Sequence, residues 1–476
     1  GSVVPQSAQS AMKVSDFAAN HPTLDRICRP LGMYHVYTSV WFSAIYLLLF
    51  ISLIGCIVPR IVSHAKALRR QPPRVPARLD RLAAHASMTT SASAAEVSQR
   101  AQQWLTSHRY RFVVDDDGSL RAEAGRHRET GNLVFHIFLV FVLVGVGWNT
   151  LWGFKGTSVV VEGQGFSNSI TQYDEFKAGA MVDTDNLTPF SMKLRKFVVS
   201  FETGTVQRGA ARSFDATVDL TMGGKTQTRD LQVNHPLRIG STKVHLLGHG
   251  YAADVVVRDG DGKVAYSGPV VFLPQDANFK SVGVIKAPDA RPDRLAFQGF
   301  FLPTGAITAG GPTSLFPDAL NPQLYLTAWY GKPTVETGVP SNIYTLDTTG
   351  LTQVTNGKDK ARFVLSPGQR YKLPDGKGSI QFNGWQRWAK IQVSQNPGLP
   401  LTFLSVVLSV AGLCVSLFSR SRRVWVRTIP GDDGLRVEIG GLDRSDSRSG
   451  AVDDVNSLLA ALHGDSMSGD VGEEHS

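Results

Sequence analysis

His136 stands in the stretch GNLVFHIFLVFVLVGVGW, within a run from Leu133 to Trp152 that is apolar apart from the imidazole and Asn149. A histidine so placed can relay protons, ligate a metal, serve as an axial ligand to haem iron, or hydrogen-bond a neighbouring helix as a packing group. A proton relay calls for further Asp, Glu or His in the apolar segments, and the other apolar runs hold none. A conventional metal site needs three or four protein ligands. Haem iron needs only one or two, so a solitary histidine fits it best among the chemical roles; the packing role stays open beside it. At 1.5 Å per helical residue, His136 lies about 4.5 Å inside the run.

Other candidates are weaker. His245 and His249 in VHLLGHGYA have an H-x3-H spacing, but the surrounding sequence is strand-like and broken by glycine, with no third ligand nearby. His235 precedes Pro236 and reads as a turn residue, and Asp259, Asp261 and Asp276 read as turn carboxylates rather than a paired acid and base. Trp385 and Trp388 in GWQRWAKIQVSQNPGLP read as an interfacial aromatic belt ahead of an apolar run, or as a lining for a flat apolar ligand. No nucleophile elbow, P-loop or dinucleotide fingerprint occurs in a usable context. The three cysteines, Cys28, Cys56 and Cys414, form no C-x-x-C, which excludes thiol-disulfide chemistry by this chain alone. Cys56 and Cys414 read as small apolar packing groups.

The elements that must position His136 follow from the distribution of charge. Three runs, 40–58, 133–152 and 399–418, contain no Lys, Arg, Asp or Glu. Each has about the 20 residues that a helix needs to cross a bilayer. Segment 59–132 carries 13 Lys/Arg against 7 Asp/Glu, and Arg420, Arg422, Arg423 and Arg427 follow the third run. Residues 1–39 hold only Lys13, Arg26 and Arg29 as cations. The positive-inside rule therefore places 59–132 and 419–476 in the cytoplasm, with 1–39 and 153–398 outside a plasma membrane. Cations hugging membrane ends speak against a nucleic-acid partner. An outer N-terminus implies a further transmembrane helix upstream of Gly1, so four spans are expected, three of them in this sequence.

Between the runs, VSQRAQQWL puts Val97, Ala101, Trp104 and Leu105 on one helical stripe. YRFVVDDDGSLRAEA reads as strand, turn, strand, giving 59–132 a small α+β character with too little apolar residue for a substantial core. Segment 153–398 reads as all-β: about a dozen short alternating runs separated by Gly, Pro and Asp-Gly turns, a sandwich-like domain or two stacked ones. The tail 419–476 begins with a hairpin, VWVRTIPGDDGLRVEIGGL, and its acidic Ser/Gly-rich end is expected to be disordered. Ser405, Ser409, Gly412 and Ser416 line one face of the third run, with Gly145 and Gly147 in the second, and favour close helix packing.

Taken together, PLGMYHVYTSVWFSAIYLLLFISLIGCIVPR, RETGNLVFHIFLVFVLVGV, HLLGHGYA, LYLTAWYGKPTVETGVPSNIYTLD and GWQRWAKIQVSQNPGLPL resemble the ResB/CcsB family of cytochrome c biogenesis (system II). GSVVPQ resembles the segment after that family's first helix. The resemblance implies a subunit that is not catalytic by itself, within a haem lyase (cytochrome c synthase) complex. It implies a ResC/CcsA-like membrane partner bearing a tryptophan-rich WWD motif, which this chain lacks. The complex would carry haem b across the membrane and present it to apocytochrome c, whose cysteines a thioredoxin-like reductant keeps reduced. The family's membrane histidine falls on His136, which the resemblance makes a haem axial ligand, with the opposite ligand from the partner. The reading from a different class is a membrane-anchored structural or sensor protein whose outer β-domain binds partners without a cofactor.

Overall fold

The computed structural model of the protein describes residues 4–7, 11–333, 345–357, 359–419, 421–431, 434–443 and 449–463. Arg420, the acidic end after 463, and parts of the GSVVPQ and GKPTVETGVPSNIY stretches lie outside these residues. The chain forms two compact units, Gly1–Gly147 with Gly398–Ser476, and Trp148–Pro397.

The first unit contains two short helices, α1 (Ala11–Asn20) and α2 (Pro22–Cys28), then α3 (Val40–Arg69). The next helices are α4 (Ala94–Ser107) and α5 (His127–Trp152), whose last turn belongs to the second unit. They are followed by α6 (Leu399–Phe418) and α7 (Ser449–His463). Helices α3, α5 and α6 are long and apolar enough to cross a membrane. The Ser39 hydroxyl caps α3 by accepting from Phe42 N. Helix α5 starts at His127, six residues before the apolar run, so its first turns carry the polar residues HRETGN.

Glycine sets how α5 and α6 meet. A Cβ on Gly131 would lie 2.6 Å from the Gly412 carbonyl and from Ser416 N; one on Gly412 would lie 2.8 Å from Phe135 N. A Cβ on Gly145 would collide with Thr402. The two backbones therefore touch, antiparallel, along the small-residue face foreseen in the third run, and Ser405, Ser409 and Gly412 are buried there. Ser409 Oγ donates to the Phe135 carbonyl at 3.2 Å. On the other flank of α5, Tyr46 OH of α3 donates to the Leu143 carbonyl at 2.5 Å.

The segments beyond these helices build one domain. Its antiparallel sheet has the order Ala84–Thr90, Gly434–Asp443, Arg422–Gly431, Leu120–Ala124, Arg111–Val114. The expected C-terminal hairpin thus supplies two of the three inner strands of a sheet whose other strands lie some 300 residues earlier. Helix α4 begins with a capping box, Ser93 with Glu96. It buries Val97, Ala101, Trp104 and Leu105 against the sheet and against Ala451, Val455, Leu458 and Leu462 of α7. The sequence reading treated 59–132 as too small for a core and passed over α7. The missing apolar surface arrives from the C-terminus. Tyr110 OH donates to Asp454 at 2.6 Å and Arg422 pairs with the same carboxylate at 2.8 Å. Burial, then that carboxylate, push the Tyr110 phenol far above its ordinary value.

The second unit is β throughout. Two 17-residue strands, Thr242–Arg258 and Ser379–Gln395, pair over their whole length at its centre. Sheet partners continue outward on both sides, and a four-stranded sheet (Gly165–Ser167, Ser191–Phe201, Ala211–Met222, Lys225–Gln232) packs over one end. Two apolar cores result, one around Tyr251, Phe272, Phe297 and Phe382, the other around Phe166, Phe197, Leu231 and Ile391. The sequence reading took the first of the two 17-residue strands as broken by glycine around His249. In the structure Leu247 bulges out of the ladder, and Gly250 leaves the space that the Trp388 indole fills.

The bulge decides the fate of the H-x3-H pair. His249 pairs with Ala389 and His245 with Gln392, so the two imidazoles leave opposite faces of the sheet and share no ligand. His249 is buried, stacked on Phe279 at 4.6 Å with Phe214 at 5.1 Å and Phe197 at 5.7 Å. Burial, with the Arg387 guanidinium adding to it, lowers its pKa from 6.5 to about 4.

Two outcomes follow from this packing. Gly412→Leu drives a side chain into the α5 backbone; loss of about 1–3 kcal/mol, read as a lower thermal unfolding midpoint in detergent, is expected, against no change for Leu413→Ala on the outer face. For His249 the folded value lies below the unfolded one, so the unfolded chain takes up the proton first. Stability is full above pH 6.5 and falls by up to about 3 kcal/mol as pH descends to about 4. Denaturant unfolding followed by tryptophan fluorescence at pH 7 and pH 4.5 should show this loss, and His249→Phe should flatten it.

Candidate functional site

The chemistry of His136 is set by its own helix. Its Nδ1 lies 2.7 Å from the carbonyl oxygen of Asn132, one turn earlier. A carbonyl only accepts, so in the neutral imidazole Nδ1 carries the proton and Nε2 keeps a lone pair. This is the arrangement by which a second-sphere acceptor fixes the tautomer of a metal-binding histidine. Phe135 stands edge-on to the ring at 5.0 Å, and the Phe135 carbonyl is the one that Ser409 of α6 holds. The turn bearing His136 is thereby tied to a second helix.

One turn toward the N-terminus of α5, Asn132 and Leu133 form part of the wall of a cavity of about 760 Å3. The volume falls in the range that accommodates a cofactor-sized molecule. Helix α3 contributes Arg60, His64 and Arg70; α5 and the residues just before it contribute Arg126, Arg128 and Glu129; Arg423 comes from the strand after α6. His136 is not itself a wall residue. Five arginines face two glutamates here. Glu123 is engaged by Arg126 at 3.3 Å, and Glu129 lies 3.4 Å from His64 Nδ1. Arg60, Arg70, Arg128 and Arg423 make no side-chain hydrogen bond or ion pair among the described residues.

His64 escaped the sequence reading, which searched for histidines within the apolar runs. Helix α3 continues past Pro59 for ten residues and brings His64 to α5, where Nε2 meets Thr130 Oγ1 at 2.9 Å. The signal would have been the absence of any helix stop between Pro59 and Arg69, since Pro inside a helix kinks it without always ending it.

The remaining candidates lie elsewhere. Trp388 is buried in the second unit, its Nε1 donating to the Tyr251 and Phe272 carbonyls at 3.0 and 3.1 Å. Trp385 packs edge-on to Tyr251 at 5.3 Å. Trp388 is thus a core group, while Trp385, on the opposite face of the same strand, is partly buried against the Tyr251 core. Exposed tryptophans on the membrane-length helices are Trp41, in the first turn of α3, and Trp148 and Trp152, in the last turns of α5. Asp259 and Asp276 accept backbone N–H groups of their own turns, as their sequence suggested. Cys56 and Cys414 are exposed rather than packed within the chain, and Cys28 is buried.

Comparison with known proteins places these features in context. The chain is similar to the cytochrome c biogenesis protein CcsB of Synechococcus sp. (strain JA-3-3Ab), 24% identical over 436 residues, covering 89% of this chain and 78% of the relative. It is 24% identical over 452 residues to the protein of the same name from Nostoc sp. (strain PCC 7120), covering 93% of this chain and 83% of the relative. A third CcsB, from Picosynechococcus sp. (strain PCC 7002), is 28% identical over 211 residues, 44% of this chain and 42% of the relative. A family model described as ResB-like matches residues 1–452, and the chain accordingly belongs to the ResB-like family.

Proposed function

We propose that the chain is the ResB-like subunit of a membrane complex for cytochrome c biogenesis, and that it helps carry haem b across the bilayer and present it for covalent attachment to apocytochrome c. Family membership and the name borne by the relatives support the pathway. The observation that carries the haem role is the tautomer of His136: an imidazole inside a membrane helix, its Nδ1 proton committed to a backbone carbonyl, its Nε2 lone pair left for iron. Haem is cargo in this reading. A ResC/CcsA-like partner with a WWD motif supplies the opposite axial ligand, and a thioredoxin-like reductant keeps the apocytochrome cysteines reduced.

The arginine-bearing helix ends and the α4–α7 domain face the cytoplasm by the positive-inside rule, with 153–398 outside a plasma membrane. His136 then lies near the cytoplasmic surface, on the side where haem is collected. The β unit outside braces the partner or positions the apocytochrome.

The decisive experiment purifies the chain with its ResC-like partner and reads the haem absorbance band. His136→Ala should reduce bound haem by at least about tenfold, the scale on which ligand-supporting groups alone change metal affinity. Added imidazole should restore the band. Full haem retention without His136 would remove the ligand assignment and leave an anchored β-domain protein that binds partners without a cofactor.

A further inference from the structure

The cavity at the helix ends has features that helix packing does not require. Four of its five arginines make no side-chain hydrogen bond or ion pair among the described residues, while its two carboxylates lie 3.3 Å from Arg126 and 3.4 Å from His64 Nδ1. The first turns of α5 contribute to the wall, and a helix N-terminus adds positive potential in the same sense. A concave site of this charge selects an anion, and guanidinium groups select planar carboxylates that they can grip two-pronged.

We propose that this cavity receives the two propionate groups of the porphyrin whose iron His136 ligates. The proposal rests on the haem reading above and deepens it. Haem is an apolar disc with two carboxylates on one edge. The disc can enter hydrocarbon, but ionised carboxylates cannot follow without partners. Along α5, Asn132 lies about 6 Å and Arg128 about 12 Å from the level of His136, at 1.5 Å per residue. The arginines thus occupy the depth at which the carboxylate edge rests when the iron is at the imidazole. Arg60 and Arg423, drawn from two other parts of the chain, line the same cavity as Arg128. The geometry admits the cargo in one orientation, ring first and carboxylates last.

The test uses the full chain copurified with its partner in lipid nanodiscs, with zinc protoporphyrin IX and its dimethyl ester as fluorescent probes. The two share ring and metal and differ at the two carboxylates, ionised in one and methyl-esterified in the other. The diacid should bind at least about tenfold more tightly than the ester, as expected for one or two charge-assisted hydrogen bonds. Arg60→Gln, Arg128→Gln and Arg423→Gln combined should abolish the preference while leaving ester affinity unchanged. The corresponding lysine variants should keep part of it. Equal affinities in the unaltered protein, a comparison needing no variant, would overturn the proposal. So would a preference that survives the triple glutamine change. Nanodiscs of phosphatidylcholine alone and with phosphatidylglycerol separate the other source of anions. If the arginines serve lipid headgroups instead, their loss changes retention of phosphatidylglycerol and not the ratio between the probes. His136→Ala should preserve that ratio, because zinc porphyrin takes one axial ligand and the partner can supply it. Loss of the haem band in His136→Ala tests the axial ligand separately: an unchanged band with the probe ratio intact discards that assignment and keeps the carboxylate site.

Discussion

The close approach of α5 and α6 at Gly131 and Gly412 governs the membrane part of the molecule. Without side chains at the crossing, the backbones sit near enough for Ser409 to reach the Phe135 carbonyl, and that bond fixes the turn on which His136 stands. In lipid there is no hydrophobic gain from burying Leu against Leu, so shape fit between small residues and a few hydrogen bonds must hold helices together. Tyr46 does the same for α3 on the opposite flank. A histidine presented from a loose helix would have no defined height in the bilayer. Here its height and its tautomer are both set by main-chain atoms.

The same helices carry their positive charge into a folded domain rather than into loose tails. The strands that follow α3, precede α5 and follow α6 belong to one sheet, with Trp425 Nε1 donating to the Pro73 carbonyl at 3.0 Å and Arg121 to the Pro72 carbonyl at 3.1 Å. These bonds tie the Pro-broken segment after α3 to the sheet and keep Arg70 and Arg423 beside one another at the cavity. Electrostatics and packing are thus coupled: the cation cluster costs self-repulsion, and the sheet holds it in place.

What could be read from the sequence was whatever has a short period or a strong transfer energy. Twenty charge-free residues announce α3, α5 and α6, and a 3.6-residue stripe announces the buried face of α4. His136 was visible because a lone imidazole in such a run is conspicuous. His64 was hidden among arginines beyond a proline, and its importance depends on a contact with α5 that no local pattern encodes. The composite sheet was hidden for the same reason, since nothing near Ala84 says that its partner is Gly441. In the β unit the alternation was legible, but a glycine that makes a bulge reads like a glycine that makes a turn, so Gly248 and Gly250 were taken for breaks.

The order of the strands has a consequence for biosynthesis. Two of the three inner strands, Arg422–Gly431 and Gly434–Asp443, are the last strands of this sheet to leave the ribosome, after α3, α5 and α6 have been made. Until then Ala84–Thr90 has no neighbour on either side, and the stripe of α4 lacks most of its cover. Closure of this domain is therefore a molecular receipt for completed translation: a chain cut short before the hairpin displays an open edge and an uncovered apolar stripe to proteases and chaperones. Quality control of this subunit can act on that display before any partner is engaged.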